Sequence, residues 1–399
     1  MQRLSSAAEK FSIAIPEAAL QDLQARLART RFPVEPADSA WQYGSNLAYM
    51  RSVIDHWRLR FDWRLWEARL NGFLQYRVAL KRPDTGGLQT IHFLIEPGSG
   101  NAPRPLLLTH GWPGSVLEFV DVIEKLAHPE RFGGKADDAF TVIYPTLPGY
   151  GFSMPLDKPI GPRATAKLWR DLMVEVLGFG RFLVQAGDWG SIVSSWLGAD
   201  HPDHVAALHL NMVPLRPPLT KDSAPLSTAE RDWIARTKKI QASEAGYFAI
   251  QSTKPATLGF AMSDSPAGLA AWFIEKFHGF PRAPADQPPP FDLDHLIANL
   301  ALYWLTDTAA TATWMYNAAP RTRPNGGDMA LQPGEFVTPP TGFLLPPWDL
   351  VPPPPKGWLE RGYNVTHRVD LERGGHFVAM EQPDLFVADV QDFFRNMAV

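Results

Sequence analysis

The chain has 399 residues, 45% of them hydrophobic, which is enough to bury a large core in two domains or in one decorated domain. Its net charge is −4, and its 38 Lys and Arg residues form no basic stripe, so nucleic acid is not an expected partner. It contains no cysteine, which excludes disulfides, thiol nucleophiles and thiolate metal sites but leaves histidine-bound zinc open.

Membrane and nucleotide signals are missing from the sequence pattern. No apolar run reaches the roughly 20 residues that a membrane-spanning helix needs, and none has the character of a signal peptide. We therefore expect a cytoplasmic protein that does not bind membranes. Neither GxGxxG nor GxxxxGKS/T occurs, so no nucleotide cofactor is expected and small molecules are the expected partners.

The first 80 residues or so are predicted to be helical. Residues 16–30, PEAALQDLQARLART, place a proline at the start and Leu20, Leu23 and Leu27 on one helix face. The aromatic-rich stretch WRLRFDWRLWEARLNGF, residues 57–73, also has a helical pattern and is predicted to be mostly core. Neither stretch carries an evident catalytic pattern.

Strands alternate with helices from residue 88 to residue 213. LQTIHFLIE, PRPLLLT, AFTVIYP, RFLVQA and VAALHLNMV have the pattern of buried strands, and TAKLWRDLMVEVLGFG and SIVSSWLGAD that of helices. This alternation predicts crossover units and a mostly parallel sheet covered on both faces, which is an α/β fold.

Residue 214 onward breaks that alternation. STAERDWIARTKKI opens with a Ser227/Glu230 capping box, and SPAGLAAWFIEKF has Ser265 as a cap before Pro266. We predict an all-helical insertion over residues 214–322. After it, EFVTPPTGFLL and YNVTHRVDL are the last predicted strands, and PDLFVADVQDFFRNM is the last helix.

VQAGDWGS, residues 184–191, joins a predicted strand to a predicted helix. A hydrolase that carries its nucleophile on such a turn needs small neighbours because the turn is tight, and here Ala186 and Gly190 supply them. Asp188 stands at the nucleophile's position. An aspartate after a strand is also a good helix N-cap, so local sequence leaves both interpretations open.

An acid and then a histidine should follow such a nucleophile, since loops at the carboxyl ends of later strands meet at one edge of the sheet. His376, in ERGGHFVAM, lies between the last predicted strand and the last predicted helix. Asp349 follows the preceding strand, with an exposed loop aspartate as the alternative. Asp370 and Glu372 are nearer to His376 in sequence but fall within the strand that leads to it.

HGWPGS, residues 110–115, follows an early predicted strand. In this fold class that loop offers a backbone N–H to a developing oxyanion, together with the N–H after the nucleophile. The corresponding amides belong to Trp112 and Trp189. A plain tight turn is the alternative interpretation of this stretch.

Five stretches taken together resemble the microsomal-type epoxide hydrolases of the α/β-hydrolase superfamily: HGWPGS, GDWGS, GYFAIQSTKPATLGFAMSDSPAGLAAWFIEKF, PTGFLLPPWDL and RGGHFVAMEQP. The N-terminal FSIAIPEAALQDLQARLARTRFP is also similar to the family's N-terminal domain. The resemblance implies an α/β-hydrolase fold with a mostly parallel central sheet, a helical cap and an N-terminal helical wrapping region. The expected division is 1–87 for the wrapping region, 88–213 and 323–399 for the core, and 214–322 for the cap.

The resemblance also implies a role for individual residues. The nucleophile falls on Asp188, the acid on Asp349, the base on His376, the oxyanion amides on Trp112 and Trp189, and the two epoxide-activating tyrosines on Tyr247 and Tyr316. The segment around Tyr316, TWMYNAA, is the looser match. Two departures from the family are the lack of an N-terminal membrane anchor and an Asp where some members have Glu as the acid, and neither changes the expected chemistry.

The expected reaction turns an epoxide and water into a vicinal diol through an aspartyl ester, without a metal or an organic cofactor. An aromatic lining that includes Trp189, Phe152 and Trp272 would suit an apolar epoxide. A haloalkane dehalogenase uses the same ester chemistry but needs halide donors rather than phenols, and a non-catalytic binding protein of the same fold is the other alternative. A monomer and a homodimer both stay open.

Overall fold

A computed structural model describes residues 5–221, 223–323 and 326–399. The strands of the described residues join in one nine-stranded sheet with the order β1-β2-β3-β5-β4-β6-β7-β8-β9. The strands are β1 Glu9–Lys10, β2 Leu74–Lys81, β3 Leu88–Glu96, β4 Arg104–Thr109, β5 Phe140–Pro145, β6 Phe182–Ala186, β7 Val205–Leu210, β8 Val337–Leu345 and β9 Tyr363–Asp370.

The α-helices lie before, between and after these strands. They are α1 Glu17–Ala28, α2 Leu47–Leu59, α3 Trp63–Asn71, α4 Val120–Ala127, α5 Pro162–Asp171, α6 Asp188–Asp200, α7 Thr228–Glu244, α8 Gly246–Thr253, α9 Pro255–Asp264, α10 Pro266–Gly279, α11 Leu293–Leu305, α12 Trp314–Ala318, α13 Lys356–Glu360, α14 Val378–Glu381 and α15 Pro383–Phe394. None of the helices in the described ranges has the length and apolar character needed to cross a membrane.

The sheet is parallel from β5 through β4, β6, β7 and β8 to β9, and antiparallel from β1 to β5 through β2 and β3. The predicted mostly parallel α/β sheet is therefore confirmed. Because the parallel strands end at one edge, the loops that follow β4, β6, β8 and β9 meet there. The register of the central pair, with Thr109 opposite Ala186, sets two of these loops side by side.

The strand β2 lies in a region that the sequence analysis predicted to be helical. It pairs with β3 over eight residue pairs, from Leu74 opposite Ile95 to Lys81 opposite Leu88. Helix α3 ends at Asn71, with Gly72 as its C-cap, and β2 begins at Leu74. The expectation that residues up to about 80 are helical is therefore wrong for 74–81, where the apolar residues of LQYRVALK alternate with more polar ones in the pattern of a strand.

Helices α7 to α12 lie between β7 and β8 in the chain. Two of their predicted starts are confirmed: Ser227 and Glu230 form a reciprocal capping box on α7, and the Ser265 side chain accepts from the Gly268 N–H on α10. These hydrogen bonds satisfy amides that have no partner inside the helix.

The N-terminal helices pack against this helical insertion. The Ser45 hydroxyl donates to the carbonyl of Ala271 on α10 at 2.6 Å, and the Arg26 guanidinium donates to the Asp264 carbonyl at 2.8 Å. Trp57 of α2 is fully buried. The first helices of the chain thus hold the insertion over the sheet.

Candidate active site

The turn between β6 and α6 presents the Asp188 side chain. Asp188 has φ 46°, a left-handed conformation that costs a non-glycine residue energy and that persists only where the surroundings hold it. A Cβ on Gly190 would lie 2.1 Å from the Thr109 carbonyl oxygen, and a Cβ on Gly111 would lie 2.0 Å from Asp188 Oδ1. Glycine is therefore required at both positions for β4 and α6 to approach.

The N-cap interpretation of Asp188 is wrong. The residue that caps α6 is Gly187, and no side chain bonds the first amides of this helix. Asp188 Oδ1 instead accepts the Trp112 backbone N–H from the neighbouring loop at 2.8 Å. The carboxylate is directed away from its own helix, toward the edge where the loops meet.

His376 lies between two carboxylates from other parts of the chain. Its Nε2 is 3.4 Å from Asp188 Oδ2, and its Nδ1 is 3.0 Å from Asp349 Oδ1. Asp349 follows β8 and is buried, so the exposed-loop alternative is wrong. Of the two nearer carboxylates, Asp370 pairs with Arg368 and Glu372 is exposed. The structure thus brings together the three side chains that the order of motifs predicted.

These two carboxylates set the charge of His376. Burial by itself lowers the pKa of this imidazole, but the charge of Asp349, the hydrogen bonds to both carboxylates and the charge of Asp188 outweigh it and raise the pKa well above its usual range. With both anions in place, His376 is held as an imidazolium. Loss of the negative charge on Asp188 would release that proton more easily.

One of the two predicted oxyanion amides contacts the Asp188 carboxylate. The Trp112 N–H already contacts Oδ1. Trp189 is the second residue of α6, and an amide there has no acceptor within its own helix. The Trp112 amide is therefore suited to stabilise negative charge on Oδ1, and the corresponding role of the Trp189 amide stays a prediction.

Two buried tyrosines come from the helical insertion. Tyr247 of α8 stacks on Trp112 with ring centroids 5.3 Å apart, and Tyr316 of α12 lies edge-on to Trp189 at 4.6 Å. The two phenol rings are 5.8 Å from each other. Burial is the largest cause that raises the pKa of both phenols, and the charge of Asp188 adds to it, so both stay protonated at neutral pH.

The three predicted lining residues, Trp189, Trp272 and Phe152, have different neighbours. Trp189 lies beside Asp188, and the Trp272 indole donates to Gln251 at 2.9 Å near the ammonium of Lys276, which is 4.7 Å from the Tyr247 ring. The ring contacts of Phe152, by contrast, are with Phe11 and His92 at 5.2 and 5.3 Å. Phe152 packs against the N-terminal segment because its loop turns at two glycines with positive φ, Gly149 and Gly151.

Three phenylalanines that the sequence analysis did not single out surround the site. Phe280 is 5.0 Å from the His376 ring, Phe273 is 5.3 Å from Trp112, and Phe248 is 5.3 Å from Tyr316. Phe273 and Phe280 are seven residues apart and so lie on one face of α10 and its end. That spacing was visible in AAWFIEKFHGF, but it does not distinguish a pocket wall from an ordinary core face.

Glu381 is a further residue that the sequence analysis missed. Its carboxylate accepts the Gly375 N–H at 2.8 Å and the Phe377 N–H at 3.1 Å, on either side of His376. Burial raises the pKa of Glu381 to about 7, partly opposed by those two hydrogen bonds.

Among the described residues, no three or more His, Asp or Glu side chains are grouped so as to hold a metal ion.

Comparison with known proteins matches this architecture. The model of the epoxide hydrolase N terminus matches residues 8–119, and that of the alpha/beta hydrolase fold matches residues 104–244. A Stigmatella aurantiaca protein assigned by name to the epoxide hydrolases is 40% identical over 97% of this chain and 84% of its own. Epoxide hydrolase 1 of Sus scrofa is 33% identical over 96% of this chain and 87% of its own.

A solved structure agrees over the full length. An enantioselective variant of the Aspergillus niger epoxide hydrolase is 31% identical, covers 99% of both chains and superimposes with a TM-score of 0.82. Identity above 30% over nearly the whole chain, together with the sheet order and the helical insertion, leaves one assignment. The chain belongs to the epoxide hydrolase family of the α/β-hydrolase superfamily, a family of hydrolase enzymes.

Proposed function

We propose that the chain converts an epoxide and water into a vicinal diol through a covalent ester on Asp188. The observation that carries this proposal is the unequal setting of the two oxygens of one carboxylate. Oδ1 is bonded to the Trp112 N–H at 2.8 Å, whereas Oδ2 is 3.4 Å from His376 Nε2. Oδ1 is thus held by an amide that can later stabilise negative charge, and Oδ2 is free to attack the epoxide.

In the first step, Asp188 Oδ2 attacks a ring carbon of the epoxide and the strained carbon–oxygen bond breaks. A carboxylate can do this without losing a proton first. The departing oxygen needs a proton as it becomes an alkoxide, and Tyr247 or Tyr316 donates it. Two observations support this role: both phenols are protonated, and their rings lie against Trp112 and Trp189.

Once Asp188 is an ester, the His376 imidazolium gives its proton back to the tyrosine that protonated the alkoxide. In the second step, the neutral His376 takes a proton from water, and the resulting hydroxide attacks the ester carbonyl carbon of Asp188. Asp349 orients the imidazole and stabilises the imidazolium that forms. The carbonyl oxygen, Oδ1, gains negative charge against the amides of Trp112 and Trp189. Collapse of this intermediate breaks the ester carbon–oxygen bond; the leaving oxygen takes the hydroxyl proton of the intermediate and departs as the diol, which restores the Asp188 carboxylate beside the His376 imidazolium.

The proposed substrate class is an apolar epoxide. Aromatic rings of Trp112, Trp189, Phe248, Phe273 and Phe280 surround the carboxylate and the phenols. Such a lining binds apolar groups and leaves the few polar groups to fix the orientation of the ring oxygen.

The dehalogenase alternative is not favoured. The indole N–H groups of Trp112 and Trp189 have no acceptor within the described residues, and such donors would suit a halide. The relatives at 40% and 33% identity are nevertheless named as epoxide hydrolases, and a pair of buried phenols beside the nucleophile matches an alkoxide rather than a halide.

The test is a single turnover of styrene oxide by excess enzyme in ¹⁸O-labelled water. We expect the first diol to be unlabelled and the label to enter the Asp188 carboxylate, because water attacks the ester carbon. Label in the diol from the first turnover would contradict the ester mechanism. Release of chloride from 1-chlorobutane without any diol from styrene oxide would replace the epoxide by a halide substrate.

A further inference from the structure

Lys276 is a buried lysine that no step of the proposed reaction uses. It belongs to α10, is 5% exposed, and its ammonium pairs with the carboxylate of the neighbouring Glu275. A buried ion pair gains little stability over apolar side chains of similar volume, because two charges must be taken out of water. Packing of the helical insertion alone therefore does not account for a lysine at this position.

The Lys276 ammonium lies over the ring of Tyr247. Its Nζ is 4.7 Å from the centroid of the phenol ring, on which Trp112 also stacks with the two planes 11° apart. A cation within about 6 Å of a ring centroid is attracted to the ring, and more strongly where water is excluded. A phenol that gives up its proton becomes an anion, which attracts the ammonium more strongly still. The contact therefore strengthens as Tyr247 loses its proton.

A second contact between α8 and α10 fixes this geometry. Gln251 lies one turn after Tyr247 on α8, and Trp272 lies one turn before Lys276 on α10. The Trp272 indole donates to Gln251 Oε1 at 2.9 Å, and Gln251 is fully buried. The hydrogen bond and the cation–ring contact thus join the same faces of the two helices and hold the ammonium over the phenol.

The second phenol has no such cation. The ring of Tyr316 lies against those of Trp189, Phe248 and Tyr247, and no cation–ring contact of the described residues involves it. Burial raises the pKa of both phenols; in addition, the charge of Tyr247 raises the pKa of Tyr316, whereas a hydrogen bond with Tyr316 lowers the pKa of Tyr247. The two phenols are therefore unequal, and Tyr247 is the better placed to carry negative charge.

Three carboxylates act against the ammonium. After burial, the largest cause, the pKa of Tyr247 is raised by the charges of Asp188, Asp349 and Glu275. The Glu275 side chain is 24% exposed and that of Lys276 is 7% exposed, so water screens the carboxylate more than the ammonium. Ester formation removes the charge of Asp188 in the same step in which Tyr247 gives up its proton. The opposition thus falls as the phenolate forms.

We propose that Lys276 is a positioning residue for ring opening that makes Tyr247 the proton donor of the pair. As the bond from Asp188 Oδ2 to carbon forms and the carbon–oxygen bond of the ring breaks, the Tyr247 proton moves to the departing oxygen and the ammonium stabilises the phenolate. Tyr316 holds the same oxygen by a hydrogen bond. Lys276 transfers no proton and touches no reacting atom. This inference rests on the proposed function, since it needs an epoxide that is opened with help from a phenol.

Lys276→Met tests the proposal because it removes the charge and keeps the length of the side chain. Ring opening and ester hydrolysis are measured separately with styrene oxide, by stopped-flow Trp fluorescence and by quench and intact mass. We expect ring opening to slow about tenfold, as for the loss of a cation–ring contact shielded from water. Ester hydrolysis should stay within about twofold, because that step uses His376 and not the phenols.

Two further variants separate charge from packing. Lys276→Arg keeps a cation over the ring and should recover most of the ring-opening rate that Lys276→Met loses. Lys276→Met combined with Glu275→Gln leaves no unpaired carboxylate and should still slow ring opening severalfold. Lys239→Met changes an exposed lysine of α7 and is the control, which should alter neither step.

The tyrosine variants show whether Lys276 acts through Tyr247. In Tyr247→Phe, the addition of Lys276→Met should change ring opening by less than about twofold, because the proton donor on which the ammonium acts is gone. In Tyr316→Phe, the same addition should slow ring opening about tenfold. Equal slowing in both backgrounds, or a loss of rate that Lys276→Arg does not recover, would show a structural role and overturn the proposal.

The wild type distinguishes this proposal from the proposed function. If the wild type forms neither ester nor diol from styrene oxide, the proposed function fails whatever Lys276 does. If the wild type forms and hydrolyses the ester and Lys276→Met opens the epoxide at the same rate, only the role of Lys276 is refuted.

Discussion

Asp188 combines a strained backbone with a carboxylate whose two oxygens have different neighbours. Its φ of 46° turns the side chain toward the loop after β4 and toward His376. The Trp112 amide holds one oxygen, and the imidazole faces the other. At the scale of residues, the proposed separation of attack from ester hydrolysis follows from this asymmetry.

Removal of the base should trap the ester. His376→Gln cannot accept a proton from water, whereas attack by Asp188 needs no base. We therefore expect the variant to add the mass of one substrate molecule, seen by intact-protein mass spectrometry and mapped to the peptide that contains Asp188. Asp188→Asn is the control and should gain no mass. A His376→Gln protein that still makes diol at the wild-type rate would assign the base to another residue.

The two phenols should substitute for each other in part. Tyr247→Phe and Tyr316→Phe each leave one donor for the epoxide oxygen, so each should slow ring opening about 10- to 100-fold. The double variant leaves no acid and should lose far more than either single variant, while phenylalanine keeps the ring packing. Stopped-flow Trp fluorescence measures the ring-opening rate directly. Near wild-type ring opening by the double variant would be incompatible with phenol catalysis.

The loop between β9 and α14 illustrates how an element places a side chain. Glu381 holds the amides on both sides of His376, and Phe377 packs on Phe277 of α10 with ring centroids 4.5 Å apart. A Cβ on Gly375 would lie 2.4 Å from the Pro281 Cα, so glycine allows the helical insertion to close on this loop. His376 is therefore held in place by Glu381 of the following helix α14 and by the helical insertion.

Loss of one of the two hydrogen bonds that Glu381 accepts should slow ester hydrolysis. Glu381→Gln has one acceptor oxygen for two N–H donors, and its amide N–H₂ would face one of them. We expect ester hydrolysis to slow about 10- to 100-fold, because displacement of the base by a fraction of an ångström is enough for that. Single-turnover measurement of both steps checks it, with the exposed Glu372→Gln on the same loop as control. Unchanged hydrolysis would show that the loop needs no such hold.

At the scale of the molecule, the site forms where three parts of the chain meet. The sheet edge supplies Asp188, Asp349 and His376, while α8 and α12 supply the tyrosines. The N-terminal segment adds β1 and β2 to the sheet and packs α1 to α3 on the helical insertion. Because His376 is buried between two carboxylates at this junction, its protonation is linked to the folding of the chain.

Stability should depend on pH through this cluster. The folded-state pKa of His376 lies above 6.5, so its contribution to the free energy of unfolding is complete below pH 6.5 and is lost as pH rises through the folded-state pKa. We expect the melting temperature of the wild type to exceed that of His376→Gln most at pH 6 and the difference to narrow with increasing pH. Thermal denaturation of both proteins from pH 6 to pH 10 measures it. A difference that grows with pH would mean that the pKa of His376 is lowered rather than raised.

Much of the core fold and of the candidate site could be predicted because both follow from patterns within short stretches of the sequence. Buried strands alternating with helices predict a parallel sheet, and its strand ends must share an edge, so Asp188, Asp349 and His376 were expected together before any distance was known. The small residues around Asp188 and the caps of α7 and α10 reflect backbone sterics and hydrogen bonding within a few residues. Because these causes act within a few residues, the sequence alone is enough to predict their effects.

The tertiary structure decided what depends on contacts between distant segments. The Trp112 amide, from a loop distant in sequence, rather than the start of α6 is the partner of the Asp188 carboxylate. The ring contacts of Phe152 with Phe11 and His92 also join segments that are distant in sequence. Glu381 stood out only once its burial and long-range neighbours were known, because the pKa of a carboxyl depends on the dielectric and the charges around it, which no local spacing specifies.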